Sequence, residues 1–170
     1  MNTPAKPLAV ITVTYSPGGH LRSLDDTLRS ATARPTLLVC ADNGSTDGSP
    51  EELAAGRNDV DVFFTGGNIG YGAAINAAVR RLGGRRQAGE IDPDYLLITN
   101  PDVRFKPGSV DELLARLAAR PRAGAAGPRI EEVDGSVYPS AREVPGLLTG
   151  IGHALLVDAW PNNPFTRAYR

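Results

Sequence analysis

Four times in this sequence a short apolar, β-prone run bounded by turn residues is followed by a stretch whose apolar residues recur at helical spacing. That alternation narrows the fold more than any other feature. The first run is Leu8 to Thr14, set between Pro7 and Ser16-Pro17-Gly18-Gly19. Leu21, Leu24, Leu28 and Ala31 then form a helical stripe, with Arg22, Asp25, Asp26 and Arg29 off it, and Pro35 stops the helix. Thr36 to Ala41 is the second strand. Ser49-Pro50-Glu51-Glu52 reads as an N-cap, a first-turn proline and a capping-box glutamate, opening a short helix that ends near Gly56.

Val60 to Thr65 is the third strand, and Tyr71, Ala74, Ile75, Ala78, Val79 and Leu82 mark the helix after it. Gly83 to Pro93 reads as a polar, glycine-rich loop, and Tyr95 to Thr99 as the fourth strand. Ser109-Val110-Asp111-Glu112 is a second capping box, with Val110, Leu113, Leu114, Leu117 and Ala118 on one face of its helix. This order predicts an α/β fold: a mostly parallel sheet with helices on both faces. After Ala123 to Gly127 the pattern changes to a hairpin, Ile130 to Val137 around Asp134-Gly135, and an apolar helical stretch, Leu147 to Trp160, too short to cross a bilayer. No repeat or internal boundary is visible, so residues 1–170 are expected to form a single domain.

Composition narrows the function classes. At 41% hydrophobic and 22% charged the chain is globular. A net charge of -1 offers no bulk attraction for nucleic acid, so no nucleic-acid partner is expected. The single cysteine, Cys40, excludes an internal disulfide and a cysteine-rich zinc site, and its strand-like setting suits a small buried hydrophobe. Met1 to Pro7 has no apolar segment of leader length, which points to the cytoplasm.

Two strands end in a carboxylate: Leu37-Leu38-Val39-Cys40-Ala41-Asp42 and Tyr95-Leu96-Leu97-Ile98-Thr99-Asn100-Pro101-Asp102. Open α/β sheets bind ligands beyond the carboxyl ends of their strands, so both acids are candidates for one nucleotide site. Asp42 can accept from a pyrimidine N3–H or a ribose; an Asx-turn within Asp42 to Ser49 is the equal alternative. Asp47 favours the structural role. Asp102, fixed behind Pro101, meets the need of a hard cation for one carboxylate plus substrate phosphates; a turn-initiating aspartate is the simpler reading of it alone. Gly66-Gly67-Asn68-Ile69-Gly70-Tyr71-Gly72 opens a helix and suits either an anion or tight packing, and Asn76 lies a turn further on. It is not the dinucleotide fingerprint and has no P-loop lysine. His20 and His153 lack catalytic or metal spacing, and Arg80-Arg81 and Arg85-Arg86 read as solvated.

In this order and spacing, Val10-Ile11-Thr12-Val13-Thr14-Tyr15, Ala41 to Gly48, Gly67 to Gly72 and Asn100-Pro101-Asp102-Val103 closely resemble the family 2 inverting glycosyltransferases of GT-A (Rossmann-like) fold. Gly127-Pro128-Arg129-Ile130, Asp134-Gly135-Ser136, Pro139-Ser140-Ala141-Arg142 and Trp160 to Phe165 look like the branch that transfers rhamnose.

The resemblance implies transfer of L-rhamnose from dTDP-rhamnose, or of another sugar from a UDP-sugar, to a lipid-linked N-acetylglucosaminyl diphosphate in cell-wall polysaccharide synthesis. It implies that Thr14 and Tyr15 line the base pocket, that Asp42 holds the base, and that Asn68, Gly70 and Asn76 lie near the ribose and phosphates. Asp102 would ligate Mg²⁺ or Mn²⁺, with Asn100 in place of the first acid of the family's Asp-x-Asp. The family's general base and acceptor contacts lie beyond the position matching Arg170, so the chain reads as the donor half with the C-terminal acceptor part missing. Glu131, Glu132, Asp134 and Glu143 carry little weight as bases.

Peripheral contact with the inner face of the plasma membrane and self-association through Leu147 to Trp160 are further expectations. The competing readings are a sugar nucleotidyltransferase, which wants a basic loop where Ser16-Pro17-Gly18-Gly19-His20 stands, and a non-catalytic nucleotide-sugar-, partner- or membrane-binding fragment.

Overall fold

A computed structural model of the chain describes residues 5–140 and 146–169. Within them the chain packs as two compact units, residues 1–126 and 127–170, dividing where the strand–helix alternation stops.

In the first unit, β1 (Leu8–Thr14), β2 (Thr36–Asp42), β3 (Val60–Phe64) and β4 (Leu96–Thr99) form one sheet in the order β3-β2-β1-β4, and every pair is parallel. The near-continuous apolar runs of β1 and β2 follow from their central position, buried on both faces. One face packs Leu8, Val10, Leu38 and Cys40 against α1 (Gly19–Ala31), α2 (Ser49–Ala54) and α4 (Ser109–Ala118) through Leu21, Leu24, Leu28, Leu53 and Val110. The other packs Ala9, Ile11, Leu37, Val39 and Ala41 against Ala74, Ala78 and Leu82 of α3 (Tyr71–Gln87). The expected GT-A-like layering is therefore present, and the coverage thins at β4, where Leu96 and Ile98 are each 45% exposed on the α3 side.

Several local expectations are corrected. Both capping boxes fail: Gly48 and Gly108 precede α2 and α4 in left-handed conformations (φ 71 and 72), and neither helix has a side-chain cap. That conformation is open to glycine at no steric cost. The Ser109 hydroxyl is buried without a partner, while Asp111 turns back to accept from Thr32 Oγ1 and the Ala33 N–H (3.0 Å). The capping-box acid itself, Glu112, instead pairs with Arg116 one turn further along the helix (2.7 Å).

Gly83 to Gln87 are helical, not loop: Leu82 is buried in the sheet-facing stripe of α3, and the helix runs on to a turn at Gly89. On that helix Tyr71 and Val79 are exposed, so the buried stripe is narrower than the apolar one. Asp25 lies on the buried stripe of α1 at 5% exposure, where Arg57 grips it with both terminal nitrogens (2.8 and 3.1 Å) and also holds Asp59. A buried carboxylate is tolerable only with such a partner.

The second unit holds the expected hairpin, β5 (Ile130–Glu131) paired antiparallel with β6 (Val137–Tyr138). Asp134 Oδ1 accepts from the Ser136 N–H (2.9 Å), and Gly135 is left-handed (φ 83). Leu147 to Trp160 is helical only as α5 (Leu147–Leu156), and α6 (Pro164–Tyr169) follows. Asn163 and Thr166 are buried and lock the two helices' junction, with Nδ2 of Asn163 donating to Trp160 O and Thr166 Oγ1 (both 2.7 Å). Ala141, Arg142 and Glu143 lie outside the described residues. No helix among the described residues is long and apolar enough to cross a membrane.

Candidate functional site

Because β1 to β4 are parallel, the segments leaving their carboxyl ends gather along one edge of the sheet. The chain places β2 and β3 on one side of β1 and β4 on the other, so β1 and β4 form the switch point at which open α/β sheets hold ligands. Tyr15, Asp42, Asn68, Gly70, Asn100 and Asp102 all fall in or beside these segments. Asn76 does not: it is exposed on α3, five residues into the helix. β2 and β4 are two strand spacings apart, about 10 Å, with β1 between them.

Asp42 is 5% exposed and its carboxylate is fully engaged. Thr14 Oγ1 donates to Oδ1 at 2.8 Å, Ser45 Oγ to Oδ1 at 2.5 Å, the Ser45 N–H to Oδ2 at 3.1 Å and the Gly44 N–H to Oδ2 at 3.3 Å. An ionised carboxylate has about four acceptor positions. The sequence could pair Asp42 with its own turn, but Thr14 is 28 residues away and enters only through the strand register.

The turn after β1 is laced to the loop after β2. The Ser16 N–H donates to Ser45 Oγ (2.9 Å) and the Thr46 N–H to Ser16 Oγ (3.0 Å), holding Ser16 left-handed at φ 51. That conformation costs a non-glycine residue on the order of 1 kcal/mol. Tyr15, next to it, is exposed. Asp47 takes the structural part: Gly18 N–H (2.7 Å) and Ser49 N–H and Oγ (3.1 and 2.9 Å) all donate to it. Desolvation pushes its carboxyl up, but those donors together outweigh it and hold it below the usual range.

The loop after β3 is tied to β2 through Thr65, which no motif marks, and Asn43, which lies within the Ala41 to Gly48 motif but is given no role by it. Asn68 Oδ1 accepts from Asn43 Nδ2 (3.4 Å) and from the Gly70 N–H (3.2 Å). Beyond β4, Asn100 and Asp102 are exposed on a turn closed by the Val103 N–H to Asn100 O (3.4 Å). No hydrogen bond or ion pair among the described residues engages the Asp102 carboxylate. Among the described residues no cluster of three or more His, Cys, Asp or Glu could hold a metal alone. An open single carboxylate with a neutral Asn oxygen nearby in sequence fits a Mg²⁺-like ion that takes its other ligands from phosphate and water.

A separate cavity of about 220 Å³ lies between α1 and α2, lined by Gly18, Gly19, Arg22, Asp47, Ser49, Glu52 and Leu53; none of the expected donor residues borders it. In the second unit, Ser136 hydrogen bonds hold Asp134 below the usual carboxylate range, which suits a turn and not a base.

Comparison with known proteins gives the family and the fold. The chain is 49% identical over 166 residues to the N-acetylglucosaminyl-diphospho-decaprenol L-rhamnosyltransferases of two Mycobacterium tuberculosis strains, CDC 1551 / Oshkosh and H37Rv. The match covers 96% of this chain and 54% of each relative, so the chain spans about half the length of these relatives. Its fold is similar to that of S. aureus TarS 1-349 in complex with UDP-GlcNAc, with a TM-score of 0.54 at 16% identity over 76% of this chain and 41% of that one. TarS 1-349 without the nucleotide sugar gives the same score over 84% and 44%. Residues 9–166 match the description of glycosyl transferase family 2, and the chain belongs to that family.

Proposed function

We propose that this chain forms the donor-binding part of an inverting glycosyltransferase that moves L-rhamnose from dTDP-rhamnose to a lipid-linked N-acetylglucosaminyl diphosphate during cell-wall polysaccharide synthesis, at the cytoplasmic face of the membrane. The observation that carries the reading is the placement of Asp42 and Asp102 on opposite sides of β1 at one sheet edge. The relatives' printed names supply the sugar and the acceptor.

In this reading the base lies over Thr14 and Tyr15 and gives its N3–H to Asp42, displacing the Ser45 hydroxyl from Oδ1. Asn68 and Gly70 lie toward the ribose and diphosphate, with Asn76 and Asn100 at the rim. Asp102, with Asn100 beside it, would hold Mg²⁺ or Mn²⁺, whose positive charge offsets that of the leaving nucleoside diphosphate. The protein's own contribution is orientation: a rigid parallel sheet fixes both ends of the donor so that the face opposite the diphosphate is presented to the acceptor hydroxyl. Deprotonating that hydroxyl needs a general base. Glu131, Glu132 and Asp134 on the hairpin are not assigned to it.

The test is calorimetric titration of dTDP and UDP into the chain with and without Mg²⁺, repeated with Asp102→Ala. Binding that strengthens with Mg²⁺ in the wild type and loses that dependence in the variant is the expected result. Equal, metal-indifferent binding by both proteins would remove Asp102 from its role, and no binding of either nucleotide would overturn the donor site.

A further inference from the structure

The Thr65 hydroxyl sits at a crossing of three acceptors: Gly67 O at 2.7 Å, Asn43 Oδ1 at 2.8 Å and Asp42 O at 2.9 Å. A hydroxyl has one proton to give. Asp42 O is already served by the Thr65 N–H at 2.9 Å, so the proton is shared between the buried Asn43 amide and the carbonyl of the glycine loop. Asn43 is itself fixed, 4% exposed, with its N–H donated to Thr14 O at 2.9 Å as a continuation of the β1–β2 pairing. Its Nδ2 reaches Asn68 Oδ1, and the Gly70 N–H donates to the same oxygen.

The consequence is chemical. The Gly70 N–H requires an acceptor, which fixes the Asn68 amide with its oxygen turned to the protein. Asn68, exposed at the sheet edge, therefore offers a ligand its NH₂ donors and not its oxygen. Donors suit phosphate and ribose oxygens; an outward carbonyl would repel a phosphate.

We propose that Thr65 and Asn43 are positioning residues for the donor site, holding the 66–70 loop against the end of β2 so that Asn68 presents only its amide donors to the diphosphate. This rests on the donor-site reading above. Neither residue touches the nucleotide; both act through Asn68. Their order along the chain, buried amide, strand-end hydroxyl, exposed amide, couples the loop after β2 to the loop after β3 with no charged group in the chain of bonds.

Thr65→Val removes the hydroxyl at constant shape, Thr65→Ser restores it, and Asn43→Asp replaces the donor facing Asn68 with an acceptor. Two measurements decide. Amide hydrogen exchange on the full chain without nucleotide should show Gly70 and Ile69 exchanging about tenfold faster in Thr65→Val and Asn43→Asp, and near the wild-type rate in Thr65→Ser. UDP and dTDP should bind the first two variants about tenfold more weakly and Thr65→Ser within about twofold of wild type, while uridine, which lacks the diphosphate, changes little.

Unchanged Gly70 exchange in Thr65→Val would overturn the proposal whether or not nucleotides bind. Faster exchange with unaltered UDP affinity would reduce both residues to loop stability and overturn it as well. A wild type that binds neither nucleotide defeats the donor-site reading and, with it, the positioning role, even where exchange confirms the loop contact.

Discussion

Thr14 and Asp42 face each other in the parallel register of β1 and β2, and the Thr14 hydroxyl donates to Asp42 Oδ1 at 2.8 Å with both residues buried. Ser45 Oγ crowds the same oxygen. The two donors are not equivalent. Thr14 belongs to the sheet and cannot leave, whereas Ser45 belongs to a loop and can.

That difference gives opposite expectations for two variants. Thr14→Val strips a buried acceptor of a fixed partner and should cost about 1–2 kcal/mol of stability in urea titrations. Ser45→Ala frees Oδ1 for an incoming N3–H, so UDP should bind it as tightly as wild type or a few-fold more tightly, and N3-methyl-UDP should gain nothing. Weaker UDP binding by Ser45→Ala would mean that the serine orients Asp42 for the ligand and is not displaced.

The ends of β2 and β4 were legible because their apolar runs, 37–41 and 96–98, give way to polar residues at Asp42 and at Thr99-Asn100. What surrounds those ends was not. Asp25 looks like a surface residue in a one-dimensional helical stripe until Arg57, 32 residues on, closes over it. The first turns of α2 and α4 carry the local signature of a capping box, but a left-handed glycine stands before each, Glu112 goes to Arg116, and Asp111 is held by Thr32 and Ala33 across the fold. Gly83 and Gly84 signal a loop, and burial of Leu82 outweighs roughly 1 kcal/mol of helix cost at each. At Asp25, Asp111 and Leu82 a partner distant in sequence overrides a local preference.

Asp92 supplies a pH dependence. Its carboxylate accepts from the Asp94 and Tyr95 N–H groups (both 2.8 Å) and from Arg34 Nη2, which also donates to Lys6 O (3.1 Å). Burial pushes its pKa up, but the Arg34 guanidinium and the two N–H groups outweigh burial and hold it below the ordinary value. A depressed carboxyl stabilises the fold fully above its unfolded pKa of about 3.9 and loses that contribution as pH falls through the lower folded value. Asp92→Asn should therefore cost about 2 kcal/mol at neutral pH and progressively less below about pH 4. A gap between variant and wild type that stays constant down to acid unfolding would show that the ion pair contributes nothing.

Cys40 should be inert in the folded chain. Burial, with the negative charges of Asp25, Asp42 and Asp61, pushes its thiol up to about 12, so almost no thiolate exists at neutral pH. Ellman's reagent should label it only at the rate of global unfolding and rapidly in denaturant. Fast labelling under native conditions would mean that the sheet opens locally at the end of β2, next to Asp42.

Gly152 is where α5 and α6 touch. A β-carbon there would lie 2.4 Å from Phe165 Cγ and 2.7 and 2.8 Å from its Cδ atoms, at the root of the ring and not at a flexible tip. Gly152→Ala, which raises intrinsic helix propensity by about 1 kcal/mol, should therefore destabilise the second unit because overpacking costs roughly 1–3 kcal/mol. The effect should be local: the Asn163 and Thr166 amides, held by Trp160 O and Asn163 Oδ1, should exchange faster while the β1 and β2 amides do not change. Replacing the ring as well, in Gly152→Ala with Phe165→Leu, should recover most of the loss. If Gly152→Ala alone slows exchange at those amides, helix propensity outweighs the contact and the α5–α6 junction is looser than these distances require.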